Sequence, residues 1–466
     1  MVFGILCMLV YARWMSQEEY GGFVLLQVLI SLGLSFGELG MDTVTTRFIA
    51  GTEDIRERRK IINTGIIFRA LSMVLICILI FLFDDNLYQL MGGKVPQLLL
   101  LYLPAFLFVE GLLDYYAYIL QGLLKFKSLA IINFTYGLTS LILTVILVIP
   151  LDMGAHGLVW ARLVPNILCL IISIMAVQSG FRFEFDLEWF KRLFKFGLPL
   201  YGNKLLAFAY SRADTLVIGY FFGPAEIAIY EFARRIPESI EMLYTSFIEV
   251  FFPYITNLFS SKQFERISNM VNHANRLTAF LGGLAVILSF GLGDWFFRVF
   301  FSEQYLPSVP PFIALMVVLI FIALDSNMGY TLVAIGEQEK PLFINIIRFG
   351  IVLGSYFILI PMFQVVGAVI ASLIGLAVVN PLNVFFLRRK QVEVSISAYV
   401  KPLFLLSLGL ALYFVYESNI IIDLVFLVMF TVISFNSGIL RREDLQLFQA
   451  EAGKLITRFN RRFSHE

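Results

Sequence analysis

Apolar runs, most of them close to twenty residues long, recur along the whole 466-residue chain with short polar junctions between them. That rhythm limits the fold more than any motif does, because a bilayer core takes about 20 apolar residues per helix. The runs fall near 2–12, 23–50, 61–83, 98–120, 129–149, 158–177 and 196–220. A second set falls near 227–259, 277–292, 310–335, 343–360, 365–387, 403–416 and 420–435. Hydrophobic residues make up 59% of the chain and charged ones 15%, against roughly 45–50% and about 25% in soluble domains. So little charge could not cover a large soluble enzyme, and so much apolar surface excludes disorder. The expected class is an all-α polytopic membrane protein of about 14 transmembrane helices.

The basic residues test this parse. Arg56, Arg58, Arg59 and Lys60 follow the second run, Lys125 and Lys127 the fourth, and Arg182, Lys191, Arg192 and Lys195 the sixth. Lys262, Arg266 and Arg276 follow the eighth, Lys340 the tenth, and Arg388, Arg389, Lys390 and Lys401 the twelfth. Arg441, Arg442, Lys454, Arg458, Arg461 and Arg462 close the chain. Odd-numbered junctions carry little beyond Arg13, Lys94 and Arg298. Lysine and arginine collect on the cytoplasmic side, so both termini are expected there. The first run is about half a span; we read it as a first helix missing its cytoplasmic half, since no basic n-region or cleavage site marks a signal peptide.

The two halves echo each other. Ser16–Phe23 resembles Gly223–Tyr230, Tyr118 and Asn133 match Tyr330 and Asn345, and Gly157 and Ala161 match Gly367 and Ala371. The offset stays near 207–212 positions. Six-helix repeats in one orientation imply two lobes with a cavity between them. The expected organisation is residues 1–180 as one lobe, 181–390 as the other, and 391–466 as an appended helix pair with a basic tail.

No HExxH, GxSxG, Walker A or dinucleotide fingerprint occurs, and three scattered histidines and three isolated cysteines (Cys7, Cys77, Cys169) offer no metal spacing. No catalytic residue, cofactor or metal is expected, and a net charge of +1 gives no nucleic-acid signal. Transport would then run on an ion gradient or on the substrate's own. Ionisable groups within spans cost several kcal/mol unless they meet a cavity or a partner. The cations are Arg47, Arg69, Arg162, Lys204, Arg212, Arg234, Arg235 and Arg348; the acids include Glu38, Asp42, Glu110, Asp114, Asp214, Glu231, Glu238, Glu241, Glu249 and Asp325. Lys204, Arg234, Arg235 and Arg69 lie deep, Arg212 equally so but beside Asp214, and Arg348 is shallower, while Arg47 and Arg162 can snorkel to headgroups. Glu38 with Asp42, Glu110 with Asp114 and Arg234 with Glu238 sit four residues apart on one helix face. They either neutralise charges between helices or hold one carboxylate that titrates. Deep cations suit an anionic group such as a pyrophosphate.

Phe196-Gly197-Leu198-Pro199-Leu200, Ala213 to Gly223, Phe252-Pro253-Tyr254-Ile255, Gly37-Glu38-Leu39-Gly40 with Arg47, and Gly154 to Ala161 carry a resemblance. Across nearly its whole length the chain resembles Wzx-type polysaccharide-biosynthesis flippases of the multidrug/oligosaccharidyl-lipid/polysaccharide exporter superfamily. The resemblance implies a V-shaped, two-lobe fold and alternating access in the inner (cytoplasmic) membrane of a prokaryote. It implies transfer of a polyprenyl-diphosphate-linked oligosaccharide to the outer leaflet, with membrane lipids around it and a glycan polymerase as a candidate partner. The positions that would match pyrophosphate-holding cations are Arg47, Lys204, Arg234 and Arg235; Arg69, Arg212 and Arg348 complete our substrate-binding candidates. The ion-coupling candidates, for H+ or Na+, are Asp42, Asp114, Asp214, Glu238 and Glu241. The readings left open are a drug/cation antiporter, a membrane-embedded glycosyltransferase or polymerase, and a non-transporting subunit. Residues 178–195, with Trp189, Phe190 and Phe194, read as an amphipathic surface helix.

Overall fold

The computed structural model describes residues 2–83, 88, 100–177, 184–395 and 420–436, and every regular element among them is helical. In chain order these are α1 (Val2–Trp14), α2 (Gln17–Glu38), α3 (Met41–Gly51), α4 (Ile55–Leu82), α5 (Leu103–Gly122), α6 (Phe126–Val148) and α7 (Gly154–Val177). There follow α8 (Leu187–Phe221), α9 (Pro224–Ser260), α10 (Phe264–Phe296), α11 (Val309–Ala334), α12 (Glu339–Arg389) and α13 (Ile420–Asn436). Among the described residues, eight helical segments are long and apolar enough to cross a bilayer by length and composition. The expected run at 403–416 and the basic tail lie outside the described residues.

Two expectations need correction. The run at 23–50 is two helices: Leu39 (φ 44°) and Gly40 (φ 73°) both take the left-handed conformation, which ends α2 and starts α3. Residues 187–195 are no separate surface helix but the opening turns of α8, capped by Asp186, whose carboxylate accepts from the Glu188 and Trp189 amides. Trp189 and Leu193 are buried in a core with Met41, Ile49, Ile61, Tyr115 and Ile119. The aromatic residues that suggested a membrane surface cover other helices instead. The pair expected at 343–360 and 365–387 is present: α12 is two helices that meet at Gln364, whose φ of 52° and ψ of −136° are not helical.

Packing follows composition. Outward faces of α4 and α6 expose apolar stripes such as Leu71, Leu75 and Ile78, or Phe134, Leu138 and Ile142. Lipid solvates such faces without penalty, so close packing and polar pairs hold the helices together. Glycines let helices approach: Gly37 and Gly111 both receive Met73, and Gly137 sits under Phe3 of α1.

The internal repeat is visible in the backbone. After α5, the amides of Leu123, Leu124 and Lys125 donate to the carbonyls of Ile119, Gln121 and Leu120; after α11, Ile335, Gly336 and Glu337 donate to Thr331, Val333 and Leu332. All six lengths are 2.9–3.0 Å, and each bond recurs 212 positions later. Leu124 and Gly336 are the left-handed residues of these two turns. Gly154 and Gln364, 210 apart, both have positive φ, and Ser16 and Gly223, 207 apart, each stand one residue before a helix.

The chain forms two compact units: Met1–Ile229 with Phe300–Gln304, and Tyr230–Val299 with Tyr305–Glu466. In the first, α8 packs on α2, α3 and α4. In the second, α11 is held between α10 and α12.

Candidate functional site

The first unit gathers its charge around the α2–α3 break. A left-handed pair inside a membrane run frees carbonyls that need partners. The Gly37 carbonyl takes the Ser72 hydroxyl at 2.8 Å, and Tyr201 of α8 donates to the Phe36 carbonyl at 3.4 Å. Beside the break, Gly197 of α8 meets Gly40 backbone to backbone; a Cβ on Gly197 would lie 3.0 Å from the Gly40 carbonyl carbon. That contact places Lys204, two turns further along α8, on Glu38 at the end of α2. The same ammonium lies 5.2 Å from the Tyr118 ring. Arg47 is exposed and holds its guanidinium 4.4 Å over Phe196.

Behind this surface the charges are buried and paired. Asp42 and Arg69, each 2% exposed, approach to 3.8 Å, and Arg69 Nε donates to the Gly111 carbonyl at 3.0 Å. Glu110 receives Arg162 through two bonds of 2.7 and 3.1 Å and the Asn166 amide at 2.6 Å. The forked geometry suits a guanidinium, and removing either partner would strand a charge in a dry interior. Asp114, one turn from Glu110, is exposed and makes no hydrogen bond or ion pair with the described residues.

The second unit spreads its charge along helices. On α9, Arg234 is buried, donating to Glu238 at 2.7 Å with Glu231 at 3.4 Å, while the adjacent Arg235 is exposed. Arg348 is buried 3.3 Å from Asp325, which also accepts from the Asn383 amide at 2.6 Å. A cavity of about 400 Å³ opens between α9 and α11, lined by Glu241, Tyr244, Glu249, Phe252, Ser326 and Tyr330 among others.

The sequence candidates therefore sort by environment. Arg47, Lys204, Asp42 and Arg69 converge on the α2–α3 break; Arg234, Glu238 and Glu241 share α9; Arg348 stands apart with Asp325. Arg212 is half-buried, and Asp214 is buried and accepts from the Thr215 amide and hydroxyl at 2.7 and 3.2 Å. The four-residue spacing of Glu38 with Asp42 and of Glu110 with Asp114 joins no acid to its neighbour. Three of these four acids meet a cation on a different helix. Reasoning from sequence missed Tyr118, Phe196, Tyr201, Asn166 and Asn383. Uncharged polar and aromatic partners leave no mark in a hydropathy or charge pattern; the offset linking Tyr118 to Tyr330 and the motif opening at Phe196 singled out two of them.

The family model described as polysaccharide biosynthesis protein matches residues 10–310. Among curated proteins, the chain is 23% identical over 260 residues to the capsular polysaccharide biosynthesis protein CapF of Staphylococcus aureus, spanning 54% of this chain and 65% of that one. It is 20% identical over 381 residues to the probable low-salt glycan biosynthesis flippase Agl15 of Haloferax volcanii, spanning 81% and 78%. Among solved structures it is similar to the lipid II flippase MurJ in an inward closed conformation, with TM-score 0.70 and 17% identity over 94% of this chain and 97% of that one. An inward-facing multidrug resistance MATE family transporter of the MOP superfamily superposes with TM-score 0.68 and 17% identity over 84% and 94%. The structural likenesses establish the fold, and with the apolar helices they make this an integral membrane protein. The family match spans well over half of the sequence, and the chain belongs to the polysaccharide biosynthesis protein family.

Proposed function

We propose that this chain is a transporter, not an enzyme, that flips a polyprenyl-diphosphate-linked oligosaccharide from the cytoplasmic to the outer leaflet of the inner membrane by alternating access. The observation that carries the reading is Arg235. It lies eleven residues into α9 and is exposed, about 16 Å along the helix at about 1.5 Å per residue. An exposed guanidinium at that depth cannot face hydrocarbon without a penalty of several kcal/mol, so it faces a polar path. It supplies charge for a diphosphate, while the prenyl tail stays in lipid; Arg47 and Lys204 are the candidates of the first unit. The cations Arg69 and Arg348, clamped beside Asp42 and Asp325, serve structure in this reading. Asp42, Asp114, Asp214, Glu238 and Glu241 remain the candidates for H+ or Na+ coupling. Both termini are assigned to the cytoplasm from the basic junctions, the lobe boundary to the region of residue 180 from the repeat, and a glycan polymerase to the role of downstream partner. The likeness to a MATE transporter supports a drug/cation antiporter less well, because such a substrate has no use for exposed cations in the path.

The test is export. In cells that depend on this chain, the Lys204→Ala/Arg235→Ala variant should deliver at least about tenfold less glycan to the surface, since about 1.4 kcal/mol of lost diphosphate binding already gives that factor. Its level in the membrane should match the parent. Undiminished export by the correctly inserted variant would sink the cation role.

A further inference from the structure

The cavity between α9 and α11 has a chemistry different from the cations. We propose that it is a saccharide subsite, holding the sugar nearest the diphosphate; this rests on the glycan-lipid reading above. Apart from the Tyr330 hydroxyl, the polar groups on its wall present acceptors. Thr245 donates its hydroxyl proton to the Met242 carbonyl at 2.6 Å, and Ser326 donates to the Ile322 carbonyl at 2.9 Å. Tyr244 directs its hydroxyl at the Asn327 side-chain oxygen, 2.7 Å away. Those protons are committed inside the protein, which leaves lone pairs facing the cavity. Glu241 and Glu249 add two carboxylates, and among the described residues neither forms an ion pair. No lysine or arginine lines the space. The ligand must therefore bring the donors, and an anionic headgroup is excluded.

Two observations favour a sugar over an ammonium ion. Glu241 and Glu249 are eight residues apart on one helix, about 12 Å at about 1.5 Å per residue. Acceptors spread over that length match a row of hydroxyls, whereas one point charge needs a single focus. Phe252 and Tyr330 close the wall as an edge-to-face pair, 6.2 Å between centroids and 74° between planes, offering apolar faces to the C–H side of a sugar ring. The location also fits. Arg235 stands on the same helix as Glu241 and Glu249, about 9 Å and about 21 Å away in axial rise, and Glu249, about four turns on, shares its face. The volume of about 400 Å³ falls among those of small-molecule sites, roughly 300–1,000 Å³.

The experiment compares two probes on full-length protein in lipid nanodiscs: undecaprenyl diphosphate, and the same lipid carrying one N-acetylglucosamine. The parent should bind the sugar-bearing lipid at least about fivefold more tightly, a difference of about 1 kcal/mol. In Glu249→Gln and in Tyr330→Ala, that ratio should fall to about one while affinity for the bare diphosphate lipid stays unchanged. Glu249 and Tyr330 are exposed, so these changes leave the core intact. A parent ratio of about one, or a ratio that survives both variants, would overturn the subsite and leave the flippase reading standing. A parent that binds neither lipid would overturn both. Loss of dodecylammonium binding in the variants with the sugar ratio intact would assign the cavity to ammonium ligands and also overturn the proposal.

Discussion

Helices α5 and α11 occupy matching places in the repeat and end in the same turn, yet they treat their polar residues in opposite ways. Asp114 of α5 and Asp325 of α11 are 211 positions apart, one residue out of register with the turn's offset of 212, in which Asp114 matches Ser326. Asp325 is locked by Arg348 and Asn383, while Asp114 is exposed and makes no ion pair with the described residues. One turn on, the Tyr118 ring receives Lys204, whereas Tyr330 lines an acceptor-rich cavity. The repeat thus keeps backbone geometry and lets each unit assign its polar side chains separately. Function in such a molecule is to be sought where the two copies disagree.

The sharpest way to break this comparison is to truncate both aspartates. Asp325→Ala strands Arg348 in a buried site and should lower stability by about 3–5 kcal/mol. Asp114→Ala removes an exposed group and should stay within about 0.5 kcal/mol. Unfolding of the purified variants in one detergent reads both, and equal losses would show the two positions to be alike after all.

A smaller contrast lies in the shared turn. Gly336 has φ 86° with open space around its missing Cβ, and Leu124 has φ 56°. Gly336→Ala should cost about 1 kcal/mol, because only backbone strain opposes it, and Leu124→Gly should recover part of a similar strain. Shifts of the same sign in the two variants would mean the turns are not energetically equivalent.

The smallest effect tests the one helix that the sequence mislaid. The Asp186 carboxylate is held below its usual range by the Trp189 amide and by Lys60, which lies 3.2 Å away. A depressed carboxylate stabilises the fold above its unfolded value near 3.9 and loses that contribution as pH falls through the folded one. Asp186→Ala should therefore cost about 1 kcal/mol at pH 7, and the gap to the parent should close as the pH drops below about 4. A gap that does not depend on pH would mean that the charge plays no part in the cap.

What could be read from the sequence follows from what repeats. Long apolar runs and the offset near 210 mark helices and matching turns, since both are periodic signals. The break at Leu39–Gly40 escaped because a leucine in the left-handed region has no sequence signature, and the apolar run continues through it. Trp189 was misplaced because an aromatic-rich amphipathic turn looks the same whether it lies on lipid or on α3 and α4. Depth along a span located Arg69 and Arg348 within their helices but could not distinguish a cation in a polar path from one clamped by Asp42 or Asp325. That distinction needs residues far away in the chain, brought near only by folding.

The Gly40–Gly197 crossing has a mechanical meaning. Helices that interlock through side chains must lift ridges out of grooves before one can turn on the other. Here the two backbones touch directly, while Trp189 and Leu193 of the same helix interlock with Met41 and Ile49. A side chain at either glycine would force the helices apart, so the crossing fixes the spacing at which Lys204 reaches Glu38.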